Sequence, residues 1–200
     1  MPKPVQWLPT AHAPGRVDEA LRFIASLEGS KHLSTEADRE IFALLEEYRL
    51  GKQRFTVVLA TFIPGHPKGA LGYSCQIDKY RITPVEVSIP SLAMAIYHEM
   101  RHATQCRELM KKYGLADRRD VGPFVRRQIE CETEEHAYAA QVRFMLAMIS
   151  RKKMPKVASA NKTTGDGQLY ALTRLVWYKI HEGTFCDLYG GRKPVEAQSP

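Results

Sequence analysis

The sequence predicts an α+β protein in which two helices are followed by a small sheet and then by more helices. Three observations carry that order. Apolar residues recur at helical spacing through the first fifty positions, β-branched and aromatic residues crowd the stretch from Phe55 to Ile63, and amphipathic segments return from Leu92 onward. The chain of 200 residues, 44% apolar and 26% charged, suits one domain with its own core rather than a disordered or fibrous chain.

The first fifteen residues carry Pro2, Pro4, Pro9, Pro14 and Gly15, which predicts an extended arm. From Arg16 to Glu28, Val17, Ala20, Leu21, Ile24 and Leu27 share one helical face, and Gly29 ends it. Ser34 or Thr35 caps a second helix carrying Ile41, Leu44, Leu45 and Tyr48, which stops at Gly51. Phe55–Ile63 and Ala70–Ile77 are expected strands, and Asp78-Lys79 turns the chain towards a third. Val85–Ile89 alternates apolar and polar residues between Pro84 and Pro90, which predicts an edge strand. Ser91 is the expected N-cap of a helix running from Leu92 towards Lys112. Gly114 to Pro123 is an expected loop, Phe124 to Arg151 a long helix, and Pro155 to Gly167 a connector. Gln168 to His181 forms the last helix, with Leu169, Leu172, Leu175, Val176 and Ile180 as its apolar residues. The expected organisation is an arm over 1–15, a single domain over 16–189, and a frayed tail over 190–200.

The formal net charge is +7, which permits attraction to nucleic acid or an anionic surface without establishing either. The basic pairs, such as Arg118-Arg119 and Arg126-Arg127, read first as solvated faces. No run of about 18 apolar residues suggests a membrane span, and the opening MPKPVQW lacks the apolar core of a signal peptide, so the expected compartment is the cytoplasm. Cys75, Cys106, Cys131 and Cys186 include no pair at redox-motif spacing and are expected to be buried free thiols.

The chemistry concentrates in His98-Glu99-Met100-Arg101-His102. Histidines at i and i+4 project from one helical face, so both imidazoles can reach one Zn²⁺ at ~2.0–2.1 Å. Glu99 stands at the rim of that face. A carboxylate there can take a proton from a metal-bound water and pass it to a leaving amine.

This pentapeptide resembles the His-Glu-x-x-His helix of the zincin metallopeptidases. The resemblance extends in organisation from about Phe55 to Met148. It implies a small mixed sheet whose edge strand, matched here by Val85–Ile89, precedes the active-site helix and pairs with substrate. A third protein ligand is also required. The metzincin pattern would continue with a glycine and a third histidine, but Ala103 to Glu108 offers neither. The gluzincin branch takes a glutamate from a second helix, commonly with a small residue three positions on. Glu134, with Ala137 at i+3, is similar to that arrangement. Glu130, one turn earlier, is the competing ligand or a support for a ligand histidine. His136 points away from Glu134 on an ideal helix. Tyr138, Tyr170, Tyr178, Gln105 and His181 remain open as cleft or oxyanion residues.

The resemblance implies one Zn²⁺ per chain and a metallopeptidase acting on peptides or proteins. The competing expectation is a catalytically inactive binding or scaffold protein on the same fold, with structural zinc or no metal. Glu99 favours the enzyme, because a purely structural site has no use for a carboxylate beside its first histidine.

Overall fold

The computed structural model describes residues 14–59, 71–82, 87–121, 130–154 and 165–188. Two helices come first, α1 (Pro14–Ala25) and α2 (Glu36–Arg49). A three-stranded sheet follows, built from β1 (Val57–Leu59), β2 (Leu71–Ser74) and β3 (Lys79–Ile82). Then come α3 (Ile89–Tyr113), α4 (Glu130–Ser150), α5 (Gly165–His181) and the short α6 (Phe185–Leu188). The expected sequence of helices, small sheet and helices is present. None of the described helices is long and apolar enough to cross a membrane.

The sheet is mixed, in the order β1-β3-β2, with β1 parallel and β2 antiparallel to β3. The second strand is shorter than predicted, because Cys75–Ile77 winds into a 3₁₀ turn. Asp78 closes that turn in the left-handed region at φ 50°, a conformation aspartate tolerates better than most residues.

α3 is the central element, packed against α1, α2, α4 and β2. Met94, Ile96 and Tyr97 on α3 are fully buried, as are Ile24 on α1, Ile41 and Leu44 on α2, and Phe144 on α4. Gln105 meets Thr133 and Tyr97 stacks on Phe144, so α3 and α4 run antiparallel. Gly114 at φ 61° ends α3 in a left-handed cap, and the Leu115 N–H donates to the Met110 carbonyl at 2.9 Å.

Several boundaries differ from expectation. Ser88, not Ser91, caps α3: its hydroxyl accepts from the Ser91 N–H, and Pro90 lies in the first turn. Proline is tolerated there because the first amides of a helix have no internal partner, so its missing N–H costs nothing. The predicted edge strand Val85–Ile89 is consequently not a strand where it is described. Val87 and Ser88 are irregular, Ile89 is helical, and residues 85 and 86 lie outside the described residues. The strand beside α3 at the edge of the sheet is β2. α5 begins at Gly165 rather than Gln168, and α1 spans Pro14–Ala25 rather than Arg16–Glu28. Most of the predicted arm, residues 124–129 of the predicted long helix, most of the connector and the tail from 190 lie outside the described residues.

The cysteines are not free. Cys75 bonds to Cys106, and Cys131 bonds to Cys186, with Cα separations of 5.8 and 5.6 Å. Sequence spacing could not show this, because pairing depends on which Cα atoms the fold brings within about 4.4–6.8 Å. The first bridge ties the 3₁₀ turn after β2 to α3. The second ties the start of α4 to α6.

Asp38 is fully buried and joins three helices. It completes the capping box of α2 with Thr35, accepts from the Tyr97 hydroxyl at 2.9 Å, and pairs with Arg143 at 3.0 Å. Burial alone would raise its pKa, but the bonds from Arg143, Thr35 and Tyr97 outweigh it and hold the carboxyl below its ordinary value. Asp38→Ala should therefore cost about 3 kcal/mol and lower the melting temperature by roughly 10 °C, because Arg143 and Tyr97 lose their partner. A depressed carboxylate contributes stability above its unfolded pKa of 3.8 and loses it as the pH falls through the lower folded value. Thermal unfolding from pH 7 to pH 2 should show the wild type's margin over the variant shrinking only at the acid end.

Candidate metal centre

α3 presents His98, Glu99 and His102 towards the start of α4, where Glu134 stands. The Nε2 atoms of His98 and His102 are 3.2 Å apart. Glu134 reaches both, with Oε1 at 3.4 Å from His102 Nε2 and Oε2 at 3.6 Å from His98 Nε2. Four donors arranged tetrahedrally around zinc at ~2.0–2.1 Å would lie about 3.3 Å from one another. The observed separations lie near that value, although the two distances to Glu134 belong to different oxygens, so two imidazole nitrogens and one carboxylate converge closely enough to share a single ion.

The antiparallel packing of α3 on α4 explains the meeting. Ala137, one turn after Glu134, is fully buried, as is Ala140, so the second helix can approach closely. Tyr138 lies edge-on against the His98 ring at a centroid distance of 4.5 Å, and Phe185 backs Tyr138 at 5.7 Å. The Cys131–Cys186 bridge secures the same end of α4 and the residue following Phe185.

Glu99 is buried beside the histidines. Its Oε2 accepts the Tyr73 backbone N–H at 2.7 Å, while Oε1 lies 4.0 Å from His98 Nε2. One oxygen is thus held by β2 and the other faces the histidine cluster. Burial pushes the Glu99 pKa up, partly opposed by the two histidines. Burial also works against charging His102, but the Glu134 and Glu99 carboxylates outweigh it and raise its pKa. For Glu134, burial is outweighed in the other direction by His102 and His98, so its pKa falls well below the usual carboxylate range. A carboxylate poised to stay ionised beside two imidazoles is a natural cation ligand.

The structure therefore brings His98, Glu99, His102 and Glu134 together, with Tyr138 against them. Gln105 is buried. Its Oε1 meets His102 Nδ1 at 3.0 Å, and its Nε2 donates to the Thr133 carbonyl at 3.1 Å. Glu130 opens α4, but its side chain lies outside the described residues. His181 is exposed at the end of α5, His136 and Tyr178 are exposed, and Tyr170 is buried. A further grouping, Cys131, Glu135 and Cys186, is accounted for by the disulfide between its two sulfurs.

Two contributors escape sequence reasoning. The Tyr73 main-chain amide has no residue signature and lies 26 positions from Glu99. The Thr133 carbonyl is equally anonymous. Gln105 does carry a weak signal, because a residue at i+3 from His102 shares its helical face. No protein-family model, curated protein or solved structure matches the chain.

Proposed function

We propose that this protein is a zinc-dependent metallopeptidase of the zincin type, closest to the gluzincin branch. His98, His102 and Glu134 are the zinc ligands and Glu99 is the general base. The observation that carries this reading is the convergence of three donor groups at 3.2–3.6 Å with a fourth, non-ligating carboxylate oxygen 4.0 Å from His98 Nε2. Zinc bound by these residues would supply a Lewis acid that polarises a carbonyl and makes water a nucleophile near neutral pH.

The chain's own residues do the rest. Glu99 Oε2 is immobilised by the Tyr73 N–H, which aims Oε1 at the reacting position. Oε1 takes the proton of the attacking water and delivers it to the departing amine nitrogen. Tyr138, held by Phe185, fixes the His98 ring and keeps bulk water from that side. The substrate class is peptides or proteins. The two disulfides support work in oxidising surroundings, where such bridges persist, rather than in the reducing cytosol that the sequence alone suggested.

Metal analysis tests the reading directly. After equilibration with zinc and exhaustive dialysis, the folded chain should retain one zinc. Hydrolysis of an unfolded protein substrate should stop with a chelator and return with added zinc. A folded chain that keeps no zinc overturns the assignment.

A further inference from the structure

We propose that Gln105 is a positioning residue that dictates the tautomer of neutral His102, so that the nitrogen left without a proton is the Nε2 facing His98 and Glu134. The functional meaning of this rests on the metal reading above; the tautomer itself does not.

The argument begins with a group whose role is fixed by its chemistry. The main-chain carbonyl of Thr133 can only accept a hydrogen bond. It lies 3.1 Å from one end of the Gln105 amide, which must therefore be the NH₂ end. The orientation of a glutamine amide is ambiguous in isolation, and here the carbonyl resolves it. The carbonyl end of Gln105 is then the atom 3.0 Å from His102 Nδ1. An amide oxygen can only accept, so His102 Nδ1 must carry a proton. A neutral imidazole has one N–H, which leaves His102 Nε2 with a free lone pair. That nitrogen is the one 3.2 Å from His98 Nε2 and 3.4 Å from Glu134 Oε1.

A backbone atom on α4 thus sets the protonation pattern of a side chain on α3 through one buried amide. The same amide ties the residue before Glu134 to the helix that carries both histidines. Only His102 has this support: His98 Nδ1 is buried and has no hydrogen-bond partner among the described residues. Two imidazoles of one cluster are therefore prepared differently. The Nδ1 of His102 is committed as a donor before any ion arrives, whereas no bond of this kind commits His98.

Nitrogen-15 NMR of the metal-free chain, at a pH where the imidazoles are neutral, reads the tautomer directly. The wild type should show His102 as the Nδ1–H form. Gln105→Leu should shift it towards Nε2–H and weaken zinc by ~10–100-fold in competition with a chelator of known affinity. Gln105→Glu keeps an acceptor for His102 while losing the bond to Thr133. It should retain the Nδ1–H form and recover most of the zinc affinity.

A role limited to packing would lower the thermal stability of both variants and leave the tautomer alone. A proton on His102 Nε2 in the wild type overturns the proposal, as does a leucine variant with unchanged tautomer and zinc affinity. Should the leucine variant fail to fold, the wild-type spectrum and the glutamate variant still decide. A wild-type chain that binds no zinc removes the metal reading, and the tautomer then judges Gln105 by itself.

Discussion

Glu99→Gln should keep its zinc and lose hydrolysis by ~10²–10⁴-fold, the range expected when a positioned general base is removed. The surroundings of Glu99 make the substitution unusually clean. Tyr73 presents an N–H, which must be met by an acceptor, so the glutamine oxygen takes the place of Glu99 Oε2. The NH₂ end is then turned towards the histidines, where the carboxylate had its second oxygen. That end can donate but cannot take a proton from water. Shape, burial and the anchor to β2 are preserved while the basic atom is lost. Zinc content and turnover measured on the same preparation separate the two roles. Turnover close to wild type on any cleaved substrate would remove Glu99 from the base role and leave the ligand assignment intact.

Loss of the metal is the second large effect. His98→Ala or His102→Ala leaves two protein donors of three, and stoichiometric zinc at neutral pH should disappear. Lower pH should act in the same direction, because protons compete with the ion for histidine nitrogens. Glu134→Ala should weaken zinc strongly, since it removes the charged member of the set. Glu130→Ala should do less, by ~10–100-fold at most, if that residue only supports a ligand. The two glutamates lie about 6 Å apart along the helix, so they cannot exchange places at one coordination position. Chelator competition ranks all four variants. Full occupancy in the His98→Ala/His102→Ala double variant would end the assignment, and a larger effect at Glu130 than at Glu134 would move the ligand by one turn.

The parts of this site that were legible in the sequence are those encoded by helical periodicity. His98 and His102 share a face because they are four residues apart. Periodicity alone does not choose Glu134: the resemblance to the gluzincin arrangement, a glutamate followed by a small residue at i+3 such as Ala137, singles it out. The parts that stayed hidden depend on tertiary neighbours. Tyr73 contributes a main-chain amide, which every non-proline residue possesses. The disulfides depend on Cα distances that arise only when β2 meets α3 and α4 meets α6. The alternation in Val85–Ile89 looked like a strand, but the cap at Ser88 started the helix at Ile89. Ser88 is held further by Asp166 on α5, whose carboxylate accepts from the Ser88 N–H at 2.9 Å, a partner 78 residues away that no local pattern reveals.

The two disulfides also change what a break in the chain means. Cys75–Cys106 encloses His98, Glu99, His102 and Gln105 within one covalent ring, and Cys131–Cys186 encloses Glu134 and Tyr138 within another. A backbone cut anywhere inside either ring opens it without releasing a fragment. Every residue assigned to the metal or to proton transfer stays attached to the rest of the molecule after such a cut. For a protein proposed to hydrolyse peptide bonds, that matters most when the nearest available substrate is another copy of itself. Nicked molecules would keep their full mass until a reductant separates the pieces.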